Sequence, residues 1–165
     1  MATQQLKQDI LRLLRQNARI PDREIADRLA VDIAEVTAMI AQMESDREVL
    51  GYSAVIADGA LLDGEVSAII EVEVQPERDG GFDRIAANLS RFPEVRSVYL
   101  VSGRYDLRLS VIGHSLQDVA HFVASKLASQ PGVRSTATHF MLKTYKEAGI
   151  QFHEDEDYER LKVVP

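Results

Sequence analysis

The sequence contains no cysteine, which excludes disulfides, thiol nucleophiles and cysteine-based metal sites. No apolar run approaches the roughly 20 residues needed to span a bilayer. The opening MATQQLKQD lacks the apolar core of a secretory signal. An excess of positive charge is missing too. Nineteen Lys and Arg stand against 26 Asp and Glu, a formal net charge of -7, which argues against the simplest nucleic-acid or membrane-surface binder. There is no glycine-rich phosphate loop, Ser-His-Asp set or paired-carboxylate site. His114 and His121, read as seven apart on one helix, sit too widely for one ion, and His139 and His153 lie elsewhere. The expectation is a cytoplasmic chain that does not associate with membranes and is not an enzyme, with no cofactor, metal or catalytic residue.

At 165 residues the chain suits one domain or two small ones joined by a linker. The first fifty residues carry helical spacing only. Leu6, Ile10, Leu13 and Leu14 form one apolar stripe, interrupted at Asn17-Ala18-Arg19-Ile20-Pro21. Pro21 suits the first turn of a second helix, whose buried side is Ile25, Ala26 and Leu29. Asp32 is a candidate N-cap for a third helix, where Ile33, Val36, Ile40 and Met43 recur at helical spacing. Three helices with short connections make a helix-turn-helix pattern. Leu50, Tyr52, Ala54 and Ile56 then alternate as in a strand or wing, closed by Asp58-Gly59, with a linker through Asp63-Gly64.

The remainder alternates between periods. Val66, Ala68, Ile70, Val72 and Val74 predict a strand ended by Pro76 and Gly80-Gly81. Phe82, Ile85, Ala86 and Leu89 predict a helix. Strands are expected around 95–101 and 105–112, a helix through Leu116, Val119, Ala120, Val123 and Leu127, and a last strand over about 133–144. Arg91-Phe-Pro-Glu-Val-Arg-Ser-Val98 and Ser129-Gln-Pro-Gly-Val-Arg-Ser-Thr136 are close copies, each joining a helix to a strand. A duplicated β-α-β unit follows, in the ferredoxin-like βαββαβ order. The sheet face without helices should carry apolar and small residues that a dimer would cover. The expected class is α+β, with a winged helix-turn-helix over 1–52, a linker strand over 53–64, a ferredoxin-like domain over 65–149 and an acidic tail over 150–165. The tail either frays or docks on a neighbouring subunit through Leu161, Val163 and Val164.

In both parts the chain resembles the Lrp/AsnC family, the feast/famine regulators of bacteria and archaea. The stretches ILRLLRQNARIPDREIADRLAV and VTAMIAQMESDREVLGYSAVI are similar to the family's DNA-binding head, with landmarks at Val36, Ile40, Met43-Glu44 and Gly51-Tyr52. FPEVRSVYLVSGRYDLRLSVIG and QPGVRSTATHFMLKTYKEAG are similar to its ligand-sensing RAM domain, an ACT-like fold. The likeness covers about residues 6–149. It departs in the third helix, where Met39 replaces a usual Arg and Gln42 a common basic residue. Just before the wing, Arg47 replaces a glycine and Glu48 an apolar residue. Sirohaem decarboxylases share the two-part architecture, but the basic, histidine-rich stretch expected after their Tyr-containing strand is missing here.

The resemblance implies a sequence-specific transcriptional regulator that binds double-stranded DNA, yet the head is acidic. Through Tyr52 it holds seven cations and nine anions, a net of -2, where affinity should come largely from phosphate neutralisation. The candidate DNA-binding residues are Arg19, Arg23 and Arg47, Asp32 at the third helix's start, and Ala34, Glu35, Thr37 and Ala38 on its outer face. Glu35 would accept from a cytosine amino group; Thr37 or the alanines would contact a thymine methyl. Backbone N–H groups at helix N-termini near Pro21-Asp22 and Asp32-Ile33 would add phosphate contacts. Repetition across a homodimer, assembling to a tetramer or octamer, would raise the binding of a weak head by avidity. The alternative is a non-DNA-binding relative whose head mediates protein interaction while the second domain still senses a metabolite.

The stretch VSGRYDLRLSV joins two strands through a turn in which Gly103 permits a positive φ and the Asp106 carboxylate can close the loop. The resemblance implies that Gly103, Tyr105 and Asp106, with Thr136 and Thr138, line a pocket between dimers for an amino acid or similar metabolite. Ser102 and Arg104 complete the candidate effector site. Asp106 would hold an ammonium, while the turn and the threonines would offer donors to a carboxylate.

Overall fold

The computed structural model describes residues 2–57, 59–60, 64–75 and 81–152. Contacts divide the chain into two compact units, one containing the helices of the first 56 residues and the other spanning residues 57–145. Expectations at Asp58, Asp63, Pro76, Gly80 and the tail residues Leu161, Val163 and Val164 lie outside the described residues.

The first unit holds α1 (Ala2–Gln16), α2 (Asp22–Leu29) and α3 (Ile33–Ser45). The apolar stripes close on one core of Ile10, Leu14, Ile20, Ile25, Ala26, Val36 and Met43. Pro21 stands one place earlier than expected, as the extended N-cap of α2, because its fixed φ suits either side of that boundary. Asp32 caps α3 as the sequence suggests, accepting from the Ala34 amide at 2.7 Å. The alternation over Leu50–Ile56 does not become a strand. Leu50, Tyr52 and Ile56 are exposed, and no ladder partner lies among the described residues. A strand exists only through hydrogen bonds to a second one.

α3 ends in a Schellman motif. Glu48 N–H donates to Met43 O at 2.8 Å and Arg47 N–H to Glu44 O at 3.1 Å. Arg47 therefore occupies the left-handed position, with φ 59°, that usually falls to glycine.

In the second unit a four-stranded antiparallel sheet has the order β2-β3-β1-β4. Its strands are β1 (Val66–Val74), β2 (Val95–Leu100), β3 (Leu107–Gly113) and β4 (Val133–Phe140), with α4 (Asp83–Leu89) after β1 and α5 (Leu116–Phe122) after β3. This is the expected ferredoxin-like arrangement. Ala68, Ile70, Val72 and Val74 of β1 and Leu107, Leu109 and Val111 of β3 turn to one side, onto Ile85, Leu89, Val119, Phe122 and Leu127. The hairpin 101–106 is longer than the spacing implied, and β4 stops at Phe140 rather than near 144. A two-residue ladder, β5 (Lys146–Glu147) with β6 (Ile150–Gln151), follows in the chain and belongs by contacts to the first unit.

The helix-free face meets expectation in part. Small and apolar residues are there, Ser110, Ser135 and Ala137 with Ile69 and Tyr99, but its middle is charged. Glu71 lies opposite Arg108 on β3 and Ala137 on β4, and His139 Nε2 sits 3.7 Å from Glu71 Oε2. Strict alternation placed these charges there along with the small residues. His114 also differs: it precedes Ser115, the N-cap of α5, and so is not on one helix with His121.

Candidate functional site

In the helical unit, acid–base pairing sorts the cations. Lys7 pairs with Glu48 at 2.6 Å, Arg12 with Asp9 at 2.6 Å and Arg28 with Glu24 at 2.5 Å. Among the described residues Arg15, Arg19, Arg23 and Arg47 make no ion pair within 4.0 Å. Three of these are the sequence candidates; Arg15 was missed. Local spacing could have found it, since Arg12 has Asp9 three residues before it and Arg28 has Glu24 four before, while Arg15 has no acid at either distance. Unpaired guanidiniums are the groups able to neutralise phosphates without first breaking an existing pair.

The first turns of α2 and α3 are less open than the sequence implied. Asp22 stands in the first turn of α2 and accepts the Thr37 hydroxyl at 2.6 Å, which fixes Thr37 toward α2 and leaves its methyl as the free part. Asp32 uses its carboxylate as a cap at the start of α3. Both helix N-termini thus carry an anion of their own, which complements the helix dipole but repels a phosphate. Ala34, Glu35 and Ala38 are exposed on α3. Glu44 accepts the Tyr52 hydroxyl at 2.8 Å. That bond, followed by burial and the charges of Glu44 and Asp22, raises the phenol's pKa.

The turn after β2 places Gly103 at φ 142°, the positive value the sequence anticipated. Asp106 does not close this turn through its carboxylate. Its Oδ2 instead accepts the Val74 amide at 2.9 Å, while its own N–H donates to Val72 O at 3.1 Å. The turn is closed by backbone, Val101 N–H to Asp106 O at 2.9 Å. Leu107, Val72 and Thr136 form one cross-strand row. Asp106 and Thr136 therefore flank β1 at one end of the sheet, about two strand spacings or ~10 Å apart. Thr136 and Thr138 share the half-buried side of β4, with Thr138 one pleat further in, opposite Ile70. Tyr105 is half-buried; Ser102 and Arg104 are exposed. The Val74 amide occupies only Oδ2 of Asp106, and a carboxylate bonded through one oxygen can still take an ammonium on the other.

Comparison with known proteins assigns the two units. The model of the Lrp/AsnC ligand binding domain matches residues 67–150, and that of a winged helix-turn-helix DNA-binding domain matches residues 4–47. The HTH-type transcriptional regulator YugG of Bacillus subtilis is 42% identical over 159 residues, covering 95% of both chains. The chain belongs to the Lrp/AsnC family. It is 27% identical to regulatory protein AsnC of Haemophilus influenzae, over 81% of this chain and 87% of that one. A transcriptional regulator of Neisseria meningitidis, solved as a complex with L-Met, superposes with a TM-score of 0.68 at 27% identity, covering 86% of this chain and 91% of that one. The E. coli AsnC structure, at 22% identity and TM-score 0.65, shares the fold over 87% of this chain and 94% of its own. This Lrp/AsnC protein is thus a transcriptional regulator with a DNA-binding head and a ligand-binding domain, and not an enzyme. No described helix is long and apolar enough to cross a membrane.

Proposed function

We propose that this regulator binds specific duplex sequences and that an amino acid, bound at the Gly103–Asp106 turn between RAM domains of a homo-oligomer, alters that binding. The observation that carries the reading is the set of four unpaired arginines on an otherwise acidic helical unit. Three other cations of that unit are neutralised internally, so the remaining four are the ones free to meet phosphates. With a net charge of -2 on each head, affinity has to come from several heads acting on one duplex.

Base reading falls to Ala34, Glu35, Ala38 and the methyl of Thr37, short groups that let α3 approach a groove by shape. The effector's ammonium meets Asp106, and its carboxylate meets donors from the turn with Thr136 or Thr138. The L-Met complex of the Neisseria relative supports an amino acid as the ligand class. Such a ligand shifts assembly, and with it head spacing, by as much as its affinity differs between assemblies.

Selection of bound duplexes from a random pool, with and without a mixture of free amino acids, tests both halves. Enrichment of one motif that changes when amino acids are added supports the proposal. No duplex bound at any length at low salt overturns it, in favour of a head that mediates protein interaction.

A further inference from the structure

The exposed side of α3 is poor in hydrogen-bond donors. From Ile33 to Ala41 its only side-chain donor is the hydroxyl of Thr37, and that hydroxyl already donates to Asp22 Oδ2 at 2.6 Å. Gln42 comes next, and its Nε2 donates to Asp46 Oδ2 at 2.8 Å. Glu35 adds acceptors and no donor. In the major groove, guanine N7 and O6 and adenine N7 are acceptors that need a donor from the protein. This half of α3 has no uncommitted side-chain donor to give them.

Ile33 stands where the sequence pattern reads as core. It shares helical spacing with Val36 and Met43, yet those two are fully buried and Ile33 is 48% exposed. At 3.6 residues per turn, Ile33 and Thr37 lie about 40° apart round the helix and about 6 Å along it. Thr37 is exposed as well. Helical side chains lean toward the N-terminus, so Thr37 leans over the turn that carries Ile33. One exposed isoleucine is ordinary, but this one adjoins a threonine whose hydroxyl is turned to α2. An edge of methyl groups results. Further along the same flank, Glu44 accepts the Tyr52 hydroxyl at 2.8 Å, so the edge is confined to the N-terminal half of α3. That half is the one that meets base edges when a helix-turn-helix docks.

We infer that Ile33 and Thr37 form one specificity-determining edge that recognises the C5 methyl of thymine, with Asp22 as the positioning residue that holds it. The inference rests on the DNA-binding reading of the head and adds to it the base chemistry that α3 selects. Thymine is the one base that presents an apolar group in the major groove. Asp22 is half-buried in the first turn of α2. Thr37 cannot swing its hydroxyl toward a base without giving up a hydrogen bond to that carboxylate, which is stronger than one to a neutral acceptor. Its methyl therefore stays on the side away from Asp22, and Ile33 adds branched apolar bulk beside it. Ala34 and Ala38, both exposed, are short enough to let this edge come close.

The test compares duplexes that differ only in that methyl. A duplex selected from a random pool by the full-length protein is remade with uracil in place of every thymine, and both forms are titrated by gel shift. Burial of one methyl is worth about four-fold in affinity, so the wild-type protein is expected to prefer the thymine form by at least that factor. Thr37→Ser keeps the hydroxyl for Asp22 and removes only the methyl. It and Ile33→Ala are each expected to reduce the preference. Asp22→Ala is expected to reduce it too, whereas Asp22→Asn retains an oxygen acceptor and should preserve it. Each protein is scored by its own thymine-to-uracil ratio, so general changes in affinity cancel.

Equal affinity of the wild-type protein for the two forms overturns the inference, and that comparison requires no variant. A ratio unchanged in both Ile33→Ala and Thr37→Ser also overturns it. A ratio that falls equally in Asp22→Ala and Asp22→Asn removes Asp22 from its positioning role. Binding to no duplex at all has a different meaning: it overturns the DNA-binding reading itself, and this inference with it.

Discussion

Asp106 grips the end of β1 from the neighbouring hairpin: its Oδ2 accepts the Val74 amide at 2.9 Å. The same carboxylate that resemblance assigns to an effector's ammonium thus also holds the turn against the sheet. The two roles separate by substitution. Asp106→Asn keeps an oxygen for Val74 and loses the charge, whereas Asp106→Ala loses both. The Asn protein is expected to unfold in urea at nearly the wild-type midpoint but to lose its response to amino acids. The Ala protein should in addition lose about 1–2 kcal/mol of stability. Amino-acid binding retained in the Asn protein would remove Asp106 from the effector site.

Arg47 sits at φ 59° in the Schellman turn that ends α3, a conformation costing a non-glycine residue about 1 kcal/mol. Arg47→Gly is expected to raise the stability of the protein by about that amount and at the same time to weaken duplex binding. Calorimetric melting and gel-shift titration measure the two separately. A substitution that lowers stability contradicts the backbone argument; one that leaves duplex affinity unchanged removes Arg47 from the interface.

The unpaired and paired arginines should behave differently on DNA. Arg19→Ala and Arg23→Ala are each expected to lower affinity for every duplex alike and to flatten the salt dependence, by about 0.9 in the log–log slope for each phosphate no longer neutralised. Arg28→Ala, which removes a guanidinium already bound to Glu24 at 2.5 Å, should leave the slope near its wild-type value. Equal slopes for all three proteins would mean that internal pairing does not select the arginines that meet phosphates.

The Lys126 ammonium at Glu94 holds that carboxyl below the ordinary glutamate range; burial pushes the other way, and the residue's own backbone N–H adds to the lowering. Because the folded-state pKa is depressed, the pair's contribution is fully present above the unfolded value of about 4.3 and is lost as pH falls through the lower folded value. Glu94→Gln is therefore expected to cost about 1 kcal/mol at pH 7, with the difference from wild type shrinking as the pH drops from about 5 to about 3. Urea denaturation across that range measures it, and a difference that grows as pH falls would reverse the assignment.

Much of the fold was legible because helix and strand write their periods into neighbouring residues. The stripe of Ile10 and Leu14, the alternation of Ala68, Ile70, Val72 and Val74, and the cap at Asp32 all appear where spacing placed them. The duplicated helix-to-strand joints announced the ferredoxin-like order. The alternation over Leu50–Ile56 misled, because a period of two describes which side chains share a face and says nothing about whether a second strand is present to bond. The charged middle of the helix-free face is also in the sequence, at Glu71, Arg108 and His139, but only the register of the strands brings these three side by side.

By itself, then, the sequence determined the two-part architecture, the two cores and the family, since each depends on periodicity and motifs among residues close along the chain. Only the tertiary structure decided the partners. Asp106 with Val74 and Lys126 with Glu94 are each 32 positions apart, and Thr37 with Asp22 is 15 apart. These pairings arise when packed elements bring distant residues together, and no local propensity encodes which polar atoms will then face each other. The division of the arginines into paired and unpaired sets has the same origin.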